Sequence, residues 1–150
     1  MGIKLDLQKR RFRNNHHKAM INLLFTHAWL LEKIKEFAKK EDITPQQFNI
    51  LRILSNNADP MSTLQLRGRM LDRMSDTSRI VNRLIAKKLV KKRNSKKDKR
   101  LVEISILPRG KEILRKLDSR SEELDKLLFN LTKKEADLLS NLLAKLRNPE

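Results

Sequence analysis

The chain has 150 residues, enough for one domain with an oligomerisation arm and a real core, and too few for two large independent domains. Its 35 Lys and Arg outnumber 18 Asp and Glu, giving a formal net charge of +17 that attracts polyanions. Aromatic residues are only 4% with no Tyr, which excludes broad platforms for stacking single-stranded bases and leaves double-stranded nucleic acid as the expected anionic partner.

The chain has no cysteine, so disulfides, thiolate metal sites, iron–sulfur clusters and cysteine redox sensing are all ruled out, and a cytoplasmic location fits. No apolar run reaches the roughly 20 residues that span a bilayer, so no membrane partner is expected. Met1-Gly2 opens a myristoylation pattern that fails at Asp6, where Ser or Thr is needed.

Three glycines, four prolines and apolar residues at helical spacing predict a mainly α fold. Residues 1–13 read as a loose basic N-terminal arm. A long helix is predicted over residues 14–40, and in its middle Ile21, Leu23, Leu24, Phe25, Ala28, Trp29, Leu30 and Leu31 encircle the axis. One apolar stripe suffices for a surface helix, so the encircled middle should be buried twice, once by its own chain and once by another copy.

Two short helices follow, each with the same start signal. Thr44 caps, Pro45 takes the first helical position, Gln47 closes a capping box, and Ile43 can staple to Phe48. After the turn Asn56–Pro60, Ser62 caps and Gln65 closes the second box, with Met61 and Leu66 as the staple and an end near Leu71. A turn at Asp72–Met74 leads to a third helix that begins at Ser75 or Asp76 and runs to about Lys87, a helix-turn-helix arrangement. Leu89–Arg93 and Arg100–Ile106, with Val102, Ile104 and Ile106 alternating, predict a two-stranded hairpin around the polar loop Asn94–Lys99.

Pro108 and Gly110 open a further helix that carries apolar residues from Ile113 to Leu131, and Thr132 with Glu135 boxes a last one bearing Leu138, Leu139, Leu142, Leu143 and Leu146. The leucines of the last helix suit either intrachain packing or a subunit interface. Because both ends of the chain are over-apolar, a homodimer is expected, with dimerisation elements at 14–40 and 108–147 flanking a central domain at 44–107.

At about 100° per residue the third short helix places Thr77, Ile80, Val81, Leu84 and Ile85 on one face. Opposite lie Ser75, Asp76, Arg79, Asn82, Arg83 and Ala86, with Ser78 also a candidate contact. Arg and Asn can make bidentate contacts to guanine and adenine edges in the major groove. From Lys87 to Arg100 there are nine basic residues, among them Lys96, Lys97, Lys99 and Arg100, against the single acid Asp98. On a hairpin tip with no apolar purpose, such a run suits phosphate and minor-groove contact. Asp98 and Arg100 can lie on one side of the strand and pair, so that Asp98 orients Arg100. The alternative is that Asp98 makes the turn.

Residues 44–110 resemble the winged helix of the MarR family of transcriptional regulators. The resemblance is carried by the helix around Phe48–Leu54, the stretch Ser75–Leu84, the strand start Leu89-Val90 and the wing Asp98-Lys99-Arg100, and it extends over residues 14–147. It implies a winged helix-turn-helix plus helical dimerisation region. The implied function is regulation, with repression expected, by a two-fold dimer on pseudo-palindromic duplex DNA. Recognition helices would lie in successive major grooves and wings in flanking minor grooves. It also implies a small-molecule effector between the DNA-binding and dimer regions. Three positions depart from the family pattern: Arg67 where Ala is frequent, Lys88 where Gly is usual, and Leu107 where Thr is common. Lys88 is therefore expected in a left-handed conformation, and the helix after Leu107 relies on Pro108 instead of a side-chain cap.

No enzyme is expected. His16, His17 and His27 are the only histidines, no zinc-type helix spacing or glycine-rich phosphate loop occurs, and no cofactor or metal is called for. The competing function is a basic packaging or RNA-associated protein without sequence preference, which the charge explains equally well. A helical adaptor would account for the leucine-rich ends but not for the hairpin.

Overall fold

A computed structural model of the chain describes residues 9–148, so Met1-Gly2, Asp6 and most of the N-terminal arm lie outside the described residues. The order of elements is α1 (Asn15–Lys39), α2 (Pro45–Ser55), β1 (Met61–Ser62), α3 (Thr63–Arg69), α4 (Thr77–Ala86), β2 (Val90–Asn94), β3 (Val102–Ile106), α5 (Pro108–Asp118), α6 (Glu122–Asp125), a 3-10 turn (Lys126–Leu128) and α7 (Lys133–Arg147).

Local chemistry sets most of these boundaries. Thr44, Ser62 and Thr132 each accept a hydrogen bond from the backbone N–H three residues on, and Gln47, Gln65 and Glu135 reciprocate, so all three expected capping boxes form. Asn14 caps α1 by accepting from the N–H of His17. Leu107 offers α5 no side-chain cap, and Pro108 at its first turn supplies the helical φ instead.

One core joins the central elements. Ile50, Leu51 and Leu54 of α2, Leu66 of α3, Val81 and Leu84 of α4, Leu89 and Val90, Ile104 of β3 and Leu114 and Leu117 of α5 are all buried. Removing each large aliphatic side chain from water contributes about 1.5–3 kcal/mol, which holds the short helices together although none is long enough to be stable alone. Gly110 lets α5 close on this core. A Cβ there would lie 2.5 Å from the Leu89 carbonyl oxygen and 2.8 Å from Ile106 Cγ1.

The sheet has three strands, not two, in the order β1-β3-β2, all antiparallel. β2 and β3 pair from Val90 with Ile106 to Asn94 with Val102, and Met61 and Ser62 pair with Ile104 and Glu103. β1 has only two residues, so it shows no alternation in the sequence. It also lies directly before a cap that reads as helix.

Two further expectations are corrected. The helix that starts at Pro108 does not run unbroken to Leu131. The amides of Arg120, Ser121, Glu123 and Leu124 donate three residues back, and the path tightens into α6 and the 3-10 turn. The Ser119 hydroxyl donates to the Lys116 carbonyl there, and the Arg120 guanidinium sits 5.1 Å from the centre of the Phe37 ring, so side-chain contacts compete with a regular ladder. The second correction concerns α1, where only Phe37 and Ala38 near the C-terminal end are buried by the chain itself. Met20, Leu23, Leu24 and Leu31 stay exposed, and α7 has no buried residue. The basic arm is not loose at its end: the Arg10 guanidinium stacks 5.0 Å from the Phe25 ring, and Phe12 meets His17 edge-on.

Candidate nucleic-acid interface

The site begins with a turn built entirely from short polar side chains. Leu71 N–H donates to Asn49 Oδ1 at 3.0 Å, Met74 N–H donates to Asp72 Oδ1 at 3.0 Å, and the Ser75 hydroxyl donates to the Asp72 carbonyl. Asp76 then caps α4, accepting from the Arg79 N–H at 3.1 Å. The side chains of Ser75 and Asp76 thus build the helix start.

α4 divides sharply into two faces. Thr77, Val81 and Leu84 are buried and Ile80 and Ile85 half-buried, whereas Ser78, Arg79, Asn82, Arg83 and Ala86 are exposed along the other side. The structure therefore brings Ser78, Arg79, Asn82 and Arg83 together on one free helical surface. Ala86 leaves room at its C-terminal end for close approach.

The far end of α4 turns on a left-handed residue, and so does the end of α1. Lys88 has φ 60°, and its N–H donates to Ile85 while that of Leu89 donates to Leu84, the paired bonds of a Schellman turn that normally ends on glycine. Asp42, at φ 56°, ends α1 in the same way, with Asp42 N–H on Lys39 and Ile43 N–H on Ala38. Lys87 joins the two corners: its ammonium donates to the Asp42 carbonyl and lies 3.4 Å from Gln47 Oε1. Lys87 is therefore turned toward the α1–α2 corner. A cavity of about 330 Å³ lies between these corners and α5, lined by Asp42, Ile43, Lys88, Leu89, Arg109 and Ile113.

The wing is the other half of the site. Lys91, Lys92, Lys96, Lys97, Lys99 and Arg100 are all exposed on it, and Arg93 pairs across the hairpin with Glu103 at 3.7 Å. Its tip is organised by Ser95, a residue the sequence reading passed over. Ser95 is buried, donates its N–H to the Leu101 carbonyl at 2.8 Å, and accepts at Oγ from the N–H groups of Lys97 and Asp98. Asp98 accepts at Oδ1 from the backbone N–H of Arg100 at 3.0 Å, and among the described residues no ion pair joins it to the Arg100 guanidinium. The expected Asp98–Arg100 pairing is thus corrected to a turn role for Asp98, since a carboxylate two residues back on a tight loop reaches the amide more readily than the distant guanidinium.

The charges segregate. Among the described residues Arg79, Arg83, Lys96, Lys97, Lys99 and Arg100 have no carboxylate within ion-pair distance, while Glu41, Glu112, Asp118 and Glu123 are engaged elsewhere. Glu123 shows how tightly: the Arg120 guanidinium first, and the Lys40 ammonium next, hold its carboxyl down at about 2. Acidic side chains are committed at the junction of α1, α5 and α6, so α4 and the wing keep an unneutralised positive field suited to phosphate.

A helix-turn-helix with a charged hairpin beside its second helix defines a winged-helix DNA-binding protein. Residues 41–101 match the MarR family. The chain is 30% identical over 135 residues, 88% of its own length and 92% of the relative's, to the uncharacterised HTH-type transcriptional regulator YsmB of Bacillus subtilis (strain 168). It belongs to the MarR family and is a DNA-binding regulator of transcription, not an enzyme. Among solved structures it is similar to a mutant MarR of E. coli complexed with operator DNA, at TM-score 0.81 and 22% identity, covering 91% of this chain and 99% of that one. It is also similar to Bordetella bronchiseptica BpsR, whose DNA binding is regulated by 6-hydroxynicotinic acid, at TM-score 0.73 and 18% identity, covering 86% and 99%.

Proposed function

We propose that the protein is a homodimeric, sequence-specific repressor of the cytoplasm that binds a pseudo-palindromic operator. In this reading Ser78, Arg79, Asn82 and Arg83 of α4 enter the major groove, with Ser75 and Asp76 at its entrance. Lys96, Lys97, Lys99 and Arg100 of the wing follow the flanking minor groove, and Asp98 shapes the loop. The observation that carries it is the two-faced α4, in which an exposed Arg-Asn-Arg surface lies opposite the apolar face that packs on the core. Dimerisation through the ends of the chain is supported by Met20, Leu23 and Leu24 of α1 and Leu138, Leu142 and Leu146 of α7, which the described residues leave in water. A small-molecule effector would find room in the cavity of about 330 Å³ beside Lys88, within the size range of ligand sites.

The test is selection of bound duplexes from a random library, followed by a salt titration on the selected site. One inverted repeat should be enriched, with log affinity falling against log salt at a slope of about −7 for on the order of 8 neutralised phosphates. Retention of all sequences alike would instead identify a non-specific packaging protein.

A further inference from the structure

The turn before α4 carries two large apolar side chains that the described residues do not cover. Met74 is 94% exposed and Leu71 88%, the highest values among the exposed large hydrophobic residues. Their exposure is built in. Met70 turns inward and is buried, and from there the backbone is pinned by Asn49 at Leu71, by Asp72 at Met74 and by the Asp76 cap, so neither side chain is free to collapse onto the core. The exposed leucines of α1 and α7 belong to long helices at the chain ends, whereas Leu71 and Met74 sit in the turn that precedes the helix cap.

The surroundings say what kind of surface covers them. Arg67, Arg69, Arg73, Arg79 and Arg83 are all exposed on the same stretch, and among the described residues none has an ion-pair partner. The only acids there, Asp72 and Asp76, each use an oxygen on a backbone N–H. Two exposed apolar side chains on a stretch whose arginines form no ion pair, Arg69 alone donating to Asn57 Oδ1, fit a partner that is polyanionic yet offers small apolar groups. The major groove does both, through phosphates and the C5-methyl of thymine.

We infer that Met74, with Leu71, reads thymine methyl groups at the edge of each operator half-site, adding an apolar element of specificity to the hydrogen-bonding residues of α4. Met suits this task because its long, polarisable side chain adapts to a methyl group without demanding one geometry. The inference rests on the DNA-binding reading of α4.

The experiment replaces each thymine of the selected operator, one at a time, by uracil, which keeps the base pair and removes only the methyl. Affinities are then measured for the wild type and for Met74→Ala, Leu71→Ala and Met74→Leu. The wild type should weaken about three- to tenfold at one or two thymines per half-site, as expected for loss of an apolar base contact. Met74→Ala should weaken on the thymine operator by a similar factor and no longer respond to uracil there. Met74→Leu should restore the response. Unchanged melting temperatures in all three variants would show that folding is not the cause. A wild type indifferent to every uracil, or a Met74→Ala and a Leu71→Ala that both keep its full uracil penalty, overturns the inference while leaving the regulator reading intact. A wild type that selects no duplex at all overturns both.

Discussion

The central residues and the two ends of this chain are built by different rules. Between Ile43 and Leu117 most apolar side chains enter one core that includes Ile50, Leu51, Leu66, Leu84 and Ile104, with Leu64, Leu71, Met74 and Leu101 left exposed. In α1 before Phe37 and in α7 the same residue types, in helices just as regular, are left largely in contact with water. Regular secondary structure is therefore no guide to whether a segment is folded by its own chain. The centre carries its own specification, and the ends carry an apolar surface that the described residues do not cover.

The sharpest way to break that contrast is Leu142→Glu, a change on a side chain that is 55% exposed in the single chain. If the ends meet only between copies, light scattering should show the mass halved while the helical signal persists. Operator affinity should fall by a factor on the order of 10²–10⁴, the gain that joining two binding heads provides. A variant that loses its fold instead would place Leu142 in an intrachain core.

Next in size is Gly110→Ala, which acts on the centre alone. The added methyl meets a backbone oxygen that cannot swing aside, so chemical denaturation should show a loss of about 1–3 kcal/mol. Lys88→Gly should work in the opposite direction: removing the side chain from a φ of 60° is expected to stabilise the protein by about 1 kcal/mol, read as a higher denaturation midpoint. The smallest effect lies at the junction of the two regions, where Arg120 and Lys40 depress Glu123. A carboxylate held at about 2 instead of its ordinary 4.5 stabilises the folded state above that ordinary value, and the contribution disappears as the pH falls toward 2. An acid titration of Glu123→Gln should therefore run flatter than the wild type between those limits and match its shape above them.

What was legible in the sequence was whatever is decided within a few residues. The three capping boxes, the α4 core face and the left-handed Lys88 depend on neighbours three or four positions away, and the residues there announce themselves. The features that escaped depend on distant partners. Lys87 reads as one more wing cation until the Asp42 corner, 45 residues earlier, claims it. The strand at Met61–Ser62 exists only because β3 runs alongside. Ser95 looks like loop polarity because burial of a small hydroxyl leaves no periodic trace. Of the two burials expected for the encircled middle of the first helix, the one by its own chain is largely missing, since Phe37 and Ala38 near the C-terminal end are the residues buried there, and the one by another copy belongs to the proposed dimer.

Ser95 also separates two properties of the wing that are usually treated together. The path of the loop is held by an uncharged side chain and by the Asp98 carboxylate on backbone N–H groups, whereas the exposed ammonium groups of Lys96, Lys97 and Lys99 form no ion pair among the described residues. Form and charge therefore reside in different residues. If the wing lysines meet DNA as proposed, substitution among them would tune that attraction stepwise while the Ser95 and Asp98 bonds that shape the loop stay in place, so binding strength would be open to gradual adjustment by single mutations.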